Sequence, residues 1–146
     1  IAVAISGVFV RLGNLMNSEI CGLPTSLPWA FVFERGGGDC SPVPRHPVQL
    51  YEALGYLALF GLLLWRYRRS KAATPHGLLL SFLLMGMFTF RFLIEFTKVN
   101  QEDATLGLPI NTGQLLSLPF IAIGVYFFLR ARKAGPPPVA EGALTP

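Results

Sequence analysis

Charge is what this sequence has least of. Only 14% of its 146 residues are Asp, Glu, Lys or Arg, while 52% are hydrophobic, and soluble domains carry about 25% charged residues. A soluble chain of this length would need more polar surface to cover its core. Cysteine is scarce as well. Cys21 and Cys40 are the whole complement, too few to set a disulfide framework from sequence alone. The first block, Ile1–Val10, has neither an initiator Met nor a basic flank, whereas a signal peptide would have a charged start and a small-residue cleavage site. It reads as a helix cut in the middle, so the chain is expected to be the C-terminal part of something longer. No internal repeat is present.

What is there comes in blocks. Val48–Trp65, Gly77–Phe96 and Thr112–Leu129 are apolar runs of 18 to 20 residues, close to the ~20 that span a hydrocarbon core of about 30 Å. These runs predict an all-α, multi-pass integral membrane protein with three full spans and a truncated N-terminal span. The spans lie at about 1–10, 48–65, 77–96 and 112–129. They belong to one membrane domain, 1–133, with an outer loop at 11–47. The Pro/Ala/Gly-rich tail, 134–146, is expected to be disordered. In the outer loop, Trp29–Phe33 reads as a short strand or an interfacial segment.

Basic residues orient the chain. Arg66, Arg68, Arg69 and Lys71 follow one span, and Arg130, Arg132 and Lys133 follow the last. Together these are seven of the twelve basic residues. Two crossings separate the runs, so both lie on one face, and the positive-inside rule makes it cytoplasmic. Each run abuts a hydrophobic span, which argues against a nucleic-acid patch. The loop holding Cys21 and Cys40 then faces outward, where an oxidising compartment allows a disulfide.

Three polar motifs interrupt the apolar pattern: Arg11, Asn14, Asn17 and Glu19; Arg45 through Glu52 (RHPVQLYE); and Arg91 with Glu95. The topology sets all three at the outward ends of their spans, which suggests one polar cavity open to the outer leaflet. An intramembrane ionisable residue marks a functional-site candidate. Arg91 and Glu95 stand four apart and share a helix face, free to pair with each other or with another helix. His46, Gln49 and Glu52 line one face at i, i+3, i+6. Arginine, a permanently charged bidentate fork, suits phosphate. Each group also admits a structural reading: Arg91–Glu95 as a helix-docking ion pair, Arg11 as a snorkelling cation, His46 as a helix cap, Gln114 as a packing group. Tyr51 stays open as a site residue. The inner halves of the spans are almost wholly apolar, which argues against a transport path through them.

RLGNLMNSEICG resembles the signature of the prolipoprotein diacylglyceryl transferase family. Arg11, Gly13, Asn14, Asn17, Glu19 and Gly22 match it, while Val10 and Leu15 stand where glycine and phenylalanine are usual. RHPVQLYE, FRFLIEF and TGQLLSLPF resemble three further family segments, in order. Met87 stands where the family often has a functional tyrosine. The resemblance implies a seven-span enzyme of the bacterial inner membrane, with its site toward the periplasm and its C-terminus in the cytoplasm. It implies transfer of the diacylglyceryl group of phosphatidylglycerol to the lipobox cysteine thiol of a prolipoprotein, in the bilayer, with no metal, cofactor or nucleic acid. On that basis Arg11 and Arg91 are expected to bind the phosphoglycerol group and Asn14 to orient headgroup oxygens. Glu19 and Glu95 are expected to hold the arginines, one of them reaching the terminal glycerol, and His46 is a candidate general base. A further family histidine lies in an upstream segment, so the 146 residues alone are expected to be inactive.

Overall fold

A computed structural model describes residues 1–35, 40, 42–98 and 111–135. The glycine run, most of the polar loop before the last span and the tail lie outside the described residues, and so do the expectations for them. Helix α1 runs Ala2–Met16, α2 Val48–Ser70, α3 Leu78–Ile94 and α4 Thr112–Ala134. Two 3₁₀ turns, Lys71–Ala73 and Glu95–Thr97, follow α2 and α3. Three helical stretches are long and apolar enough to cross a membrane: Val48–Ser70, Leu78–Thr97 and Thr112–Ala134. This is an all-α membrane protein.

The helices pack in chain order, α1 on α2, α2 on α3, α3 on α4. Helix α2 is the central one. Of its most apolar window 39% is buried, against 11% for α3 and 17% for α4. Two apolar clusters hold α1 and α3 to α2. One joins Ala4, Leu59 and Leu63 to Phe82 and Leu83; the other joins Val8, Ala53 and Tyr56 to Met87 and Phe90. Small residues let these helices approach closely. A Cβ on Gly55 would stand 2.7 Å from the Phe90 ring, and one on Gly124 2.7 Å from Met85. Phe88 stacks on Phe120 at 4.3 Å between α3 and α4. Pro119 lies inside α4 without ending it, as membrane helices tolerate.

Helix α1 continues six residues past the apolar block. Arg11 and Asn14 are therefore helical, on the last turns of α1 rather than in a loop. The next segment is irregular. Ser18 and Ile20 both have φ near +58°, a left-handed conformation that is a genuine outlier for a β-branched residue. Beyond it, β1 (Phe31–Val32) pairs antiparallel with β2 (Pro44–Arg45), so WAFVF does contribute a short strand. Cys21 and Cys40 form a disulfide, with Cα atoms 5.6 Å apart, packed with Leu15 and Phe33.

The basic ends are built as helix termini. Arg68 and Arg69 close α2, and Arg132 and Lys133 close α4, where positive charge complements the helix dipole. Arg69 lies over Trp65 and Arg132 over Phe128.

Candidate active site

Residues 21–24, which follow α1, tie the start of α2 to the end of α3 at one end of the bundle. Gly22 N–H donates to the His46 carbonyl at 3.2 Å, and Leu23 N–H to the Thr97 carbonyl at 2.9 Å. Gly22 also bridges Lys98, and its carbonyl accepts from Arg45 Nη1 at 3.1 Å. A side chain at Gly22 would collide with His46 backbone at 2.5 Å, so only glycine lets the strands meet here. The signature segment thus clamps the start of α2 against the end of α3.

That clamp assembles a buried charge cluster. Glu52, on α2, is fully buried. Its Oε2 lies 3.0 Å from Arg11 Nε on α1, and its Oε1 accepts from Lys98 Nζ at 3.1 Å. Lys98 Nζ also lies 3.5 Å from Glu95 Oε2. The Arg11 contact is close but misdirected for a hydrogen bond, since Glu52 Oε2 lacks a bonded donor. It counts as an ion pair. Tyr56, one turn along α2 from Glu52, meets the Phe90 ring of α3 with centroids 6.5 Å apart. Arg91, the next residue of α3, therefore lies near the level of the cluster.

The sequence pairing of Arg91 with Glu95 changes here. Helix α3 ends at Ile94, and Glu95 opens the 3₁₀ turn. The turn swings its carboxylate to Lys98 and against the first turn of α4, where a Cβ on Gly113 would lie 2.6 Å from Glu95 Oε1. The N-terminal end of α4 favours negative charge. It is itself closed by a capping box between Asn111 and Gln114. Arg91 makes no ion pair among the described residues.

Glu19 is also placed differently from its expected role. Its side chain is exposed and pairs with neither arginine. Its backbone carbonyl instead accepts from Gln49 Nε2 at 2.6 Å. The carboxylate that holds Arg11 is Glu52. Asn14 lies one turn after Arg11 on α1, and its carbonyl accepts from Glu19 N–H at 2.9 Å. Glu52 and Lys98 were the residues that sequence reasoning passed over. Glu52 shared a helix face with His46 and Gln49, a signal that could have marked it. Lys98, next to a polar loop, gave none.

His46 does not cap α2, whose start has no side-chain cap. Its Nδ1 lies 3.3 Å from the Tyr51 hydroxyl, which accepts from Trp29 Nε1 at 2.8 Å. The indole N–H occupies one lone pair of the phenol oxygen, which keeps its own proton and a second lone pair, so the Tyr51 hydroxyl either donates to His46 Nδ1 or accepts from it, according to the histidine tautomer.

Arg11 and Lys98 are balanced by the carboxylates Glu52 and Glu95, while Arg91 and the buried Arg45, whose Nη1 donates to the Gly22 carbonyl, add positive charge at the same end of the bundle. The arrangement can take up an anion there.

Comparison with known proteins agrees with the motifs. The family model for prolipoprotein diacylglyceryl transferase matches residues 1–130. A phosphatidylglycerol–prolipoprotein diacylglyceryl transferase of Bacteroides fragilis is 46% identical over 127 residues, 87% of this chain and 44% of the relative. One of Chloroherpeton thalassium is 45% identical over 124 residues, 85% and 45% of the two chains. One of Vibrio atlanticus is 46% identical over 129 residues, 86% and 44%. The chain spans about half the length of the curated relatives it matches. No solved structure gives a significant match.

Proposed function

The chain belongs to the prolipoprotein diacylglyceryl transferase family, and on that premise we propose that it carries the headgroup site of an enzyme that moves a diacylglyceryl group from phosphatidylglycerol to a prolipoprotein cysteine. The observation that carries this reading is Arg91, which makes no ion pair among the described residues. Arg11 and Lys98 are already neutralised by Glu52 and Glu95, so Arg91 is a cation available to a phosphodiester.

The chemistry suits that surplus. The thiol sulfur attacks the glycerol carbon that bears the phosphate. The carbon–oxygen bond breaks, a thioether forms, and the phosphate leaves as a monoester while the thiol proton is released. The leaving group gains a second negative charge along the way. A fixed cation beside it therefore binds the transition state more strongly than the ground state, which is what lowers a barrier. Asn14, a turn beyond Arg11 on α1, is suited to orient headgroup oxygens. Glu52 and Glu95 are positioning residues in this reading, holding Arg11 and Lys98, and Glu19 contributes through its backbone.

The site then faces the periplasm at the outer level of the inner membrane, and the basic ends of α2 and α4 face the cytoplasm. The buried Cys21–Cys40 disulfide on the cluster's side supports that orientation, because such bonds persist in oxidising compartments. In this reading residues 1–133 form the membrane unit, with α1 continuing through Arg11 to the site. The test is transfer from labelled phosphatidylglycerol to a lipobox peptide by the full native chain in mixed micelles. Thioether formation with release of glycerol phosphate is expected. A chain that binds the lipid but never alkylates the thiol would sink the reading.

A further inference from the structure

Four buried polar atoms lack a hydrogen-bond partner among the described residues: Gln49 Oε1, Glu52 Oε2, Glu95 Oε2 and Gln114 Nε2. They are not scattered. Gln49 lies one turn before Glu52 on α2, Glu52 and Glu95 share Lys98, and Gln114 follows the glycine against which Glu95 packs. Three of the four are acceptors. Glu52 Oε2 and Glu95 Oε2 nonetheless face cations, Arg11 Nε at 3.0 Å and Lys98 Nζ at 3.5 Å, which leaves Gln49 Oε1 as the acceptor with neither a hydrogen bond nor an ion pair among the described residues. Its unmet need is for a hydrogen donor, which an ionised phosphodiester does not have.

Gln49 is the clearest case. It is completely buried, and its Nε2 donates to the Glu19 carbonyl at 2.6 Å. Turning the amide over would set two carbonyl oxygens against each other, so Oε1 is fixed as the free end. A buried acceptor without a donor is costly, and native structures supply one from protein, water or ligand. A charged ammonium is a poor candidate, because Arg11, Arg91 and Lys98 leave the cluster positive. A neutral hydroxyl satisfies the acceptor and tolerates that charge.

We propose that Gln49 Oε1 takes a hydrogen bond from a free hydroxyl of the phospholipid headgroup, so that this residue selects a polyol headgroup while the arginines bind only the phosphate. This rests on the transfer reaction proposed above. It assigns lipid selectivity to an uncharged residue whose visible role is to hold Glu19.

The test compares phosphatidylglycerol with phosphatidylpropanol, a phosphodiester with the same three-carbon headgroup and no hydroxyl, using the full native chain and a lipobox peptide. The unmodified enzyme is expected to favour phosphatidylglycerol in kcat/KM by about tenfold or more, since a site built around a hydroxyl rejects analogues that lack it. Gln49→Met, of similar length without the acceptor, is expected to narrow that ratio by roughly fivefold or more. Equal use of both lipids by the unmodified enzyme overturns the inference and assigns a buried water to Gln49. Equal slowing of both lipids by Gln49→Met also overturns it, leaving the amide as an anchor for Glu19. The lipid comparison needs no variant, so it decides even if Gln49→Met fails to accumulate. Transfer from neither lipid counts against the transfer reaction itself.

Discussion

Glu52 and Lys98 stand 46 residues apart in sequence and are joined by a 3.1 Å charge-assisted hydrogen bond inside the bundle. Glu52 is fully buried and Lys98 nearly so. The bond locks the end of α3 to α2, and Arg11 completes it from α1. One carboxylate thus fastens three helices at the depth of the candidate site.

Removing that carboxylate should cost stability first. Glu52→Ala leaves Arg11 and Lys98 buried without their shared partner, and breaking a buried pair from one side costs about 3–5 kcal/mol. The expected outcome is a large fall in melting temperature in detergent and poor accumulation in the membrane. Glu52→Gln, which keeps the shape and one acceptor, should lose less. Arg11→Ala should also lower stability, because it leaves Glu52 with Lys98 alone. An unchanged melting temperature in both Ala variants would show that the cluster is not structural.

Arg91 makes the sharper functional test. It holds no ion pair among the described residues, so Arg91→Ala should leave the melting temperature close to that of the unmodified protein. Transfer should fall by about 10²–10³, the usual effect of deleting one group that stabilises developing negative charge. Arg91→Lys should recover part of it, since the charge returns without the bidentate fork. Transfer within a few-fold of the unmodified rate in Arg91→Ala would remove this residue from the site.

The disulfide gives a third outcome. Cys21 and Cys40 close a loop across 19 residues, for which chain-entropy estimates give about 3 kcal/mol. Cys21→Ser, Cys40→Ser and the double variant should therefore melt at similarly reduced temperatures, and reductant should bring the unmodified protein to the same value. After reduction, an impermeant maleimide should label both thiols from the periplasmic side. Thiols that react fully before any reductant is added would refute the bond.

Close packing at Glu95 gives a fourth. Gly113→Ala sets a methyl group 2.6 Å from Glu95 Oε1, which forces the carboxylate from its place beside Lys98. Gly61→Ala, with nothing within 4 Å of the new atom, is the control. Transfer should drop at least about tenfold for the first, since small displacements of a positioned group are costly. It should hardly change for the second. Equal effects would mean that Glu95 has no fixed position to lose.

The membrane architecture was legible in the sequence because it depends on local quantities. Eighteen or more apolar residues in a row must hide their backbone polar groups in a helix, and flanking basic residues mark its end. The four motifs identified the family for the same reason, being short and contiguous. Helix α1 ran past its apolar block because polar residues such as Arg11 and Asn14 continue a helix as well as apolar ones do, once the bundle supplies partners.

The pairing of charges was decided elsewhere. Four-residue spacing makes Arg91 and Glu95 neighbours only while the helix lasts, and α3 ends between them. The 3₁₀ turn then gives Glu95 to Lys98, and the contact of Gly22 with Lys98 brings that lysine to Glu52. The sequence by itself determined which residues are charged, which helices carry them and which end of the bundle they share. Only the tertiary structure decided which carboxylate neutralises which cation, because that depends on distances across three helices. Arg91 is left over through that choice, not through any property of its own segment.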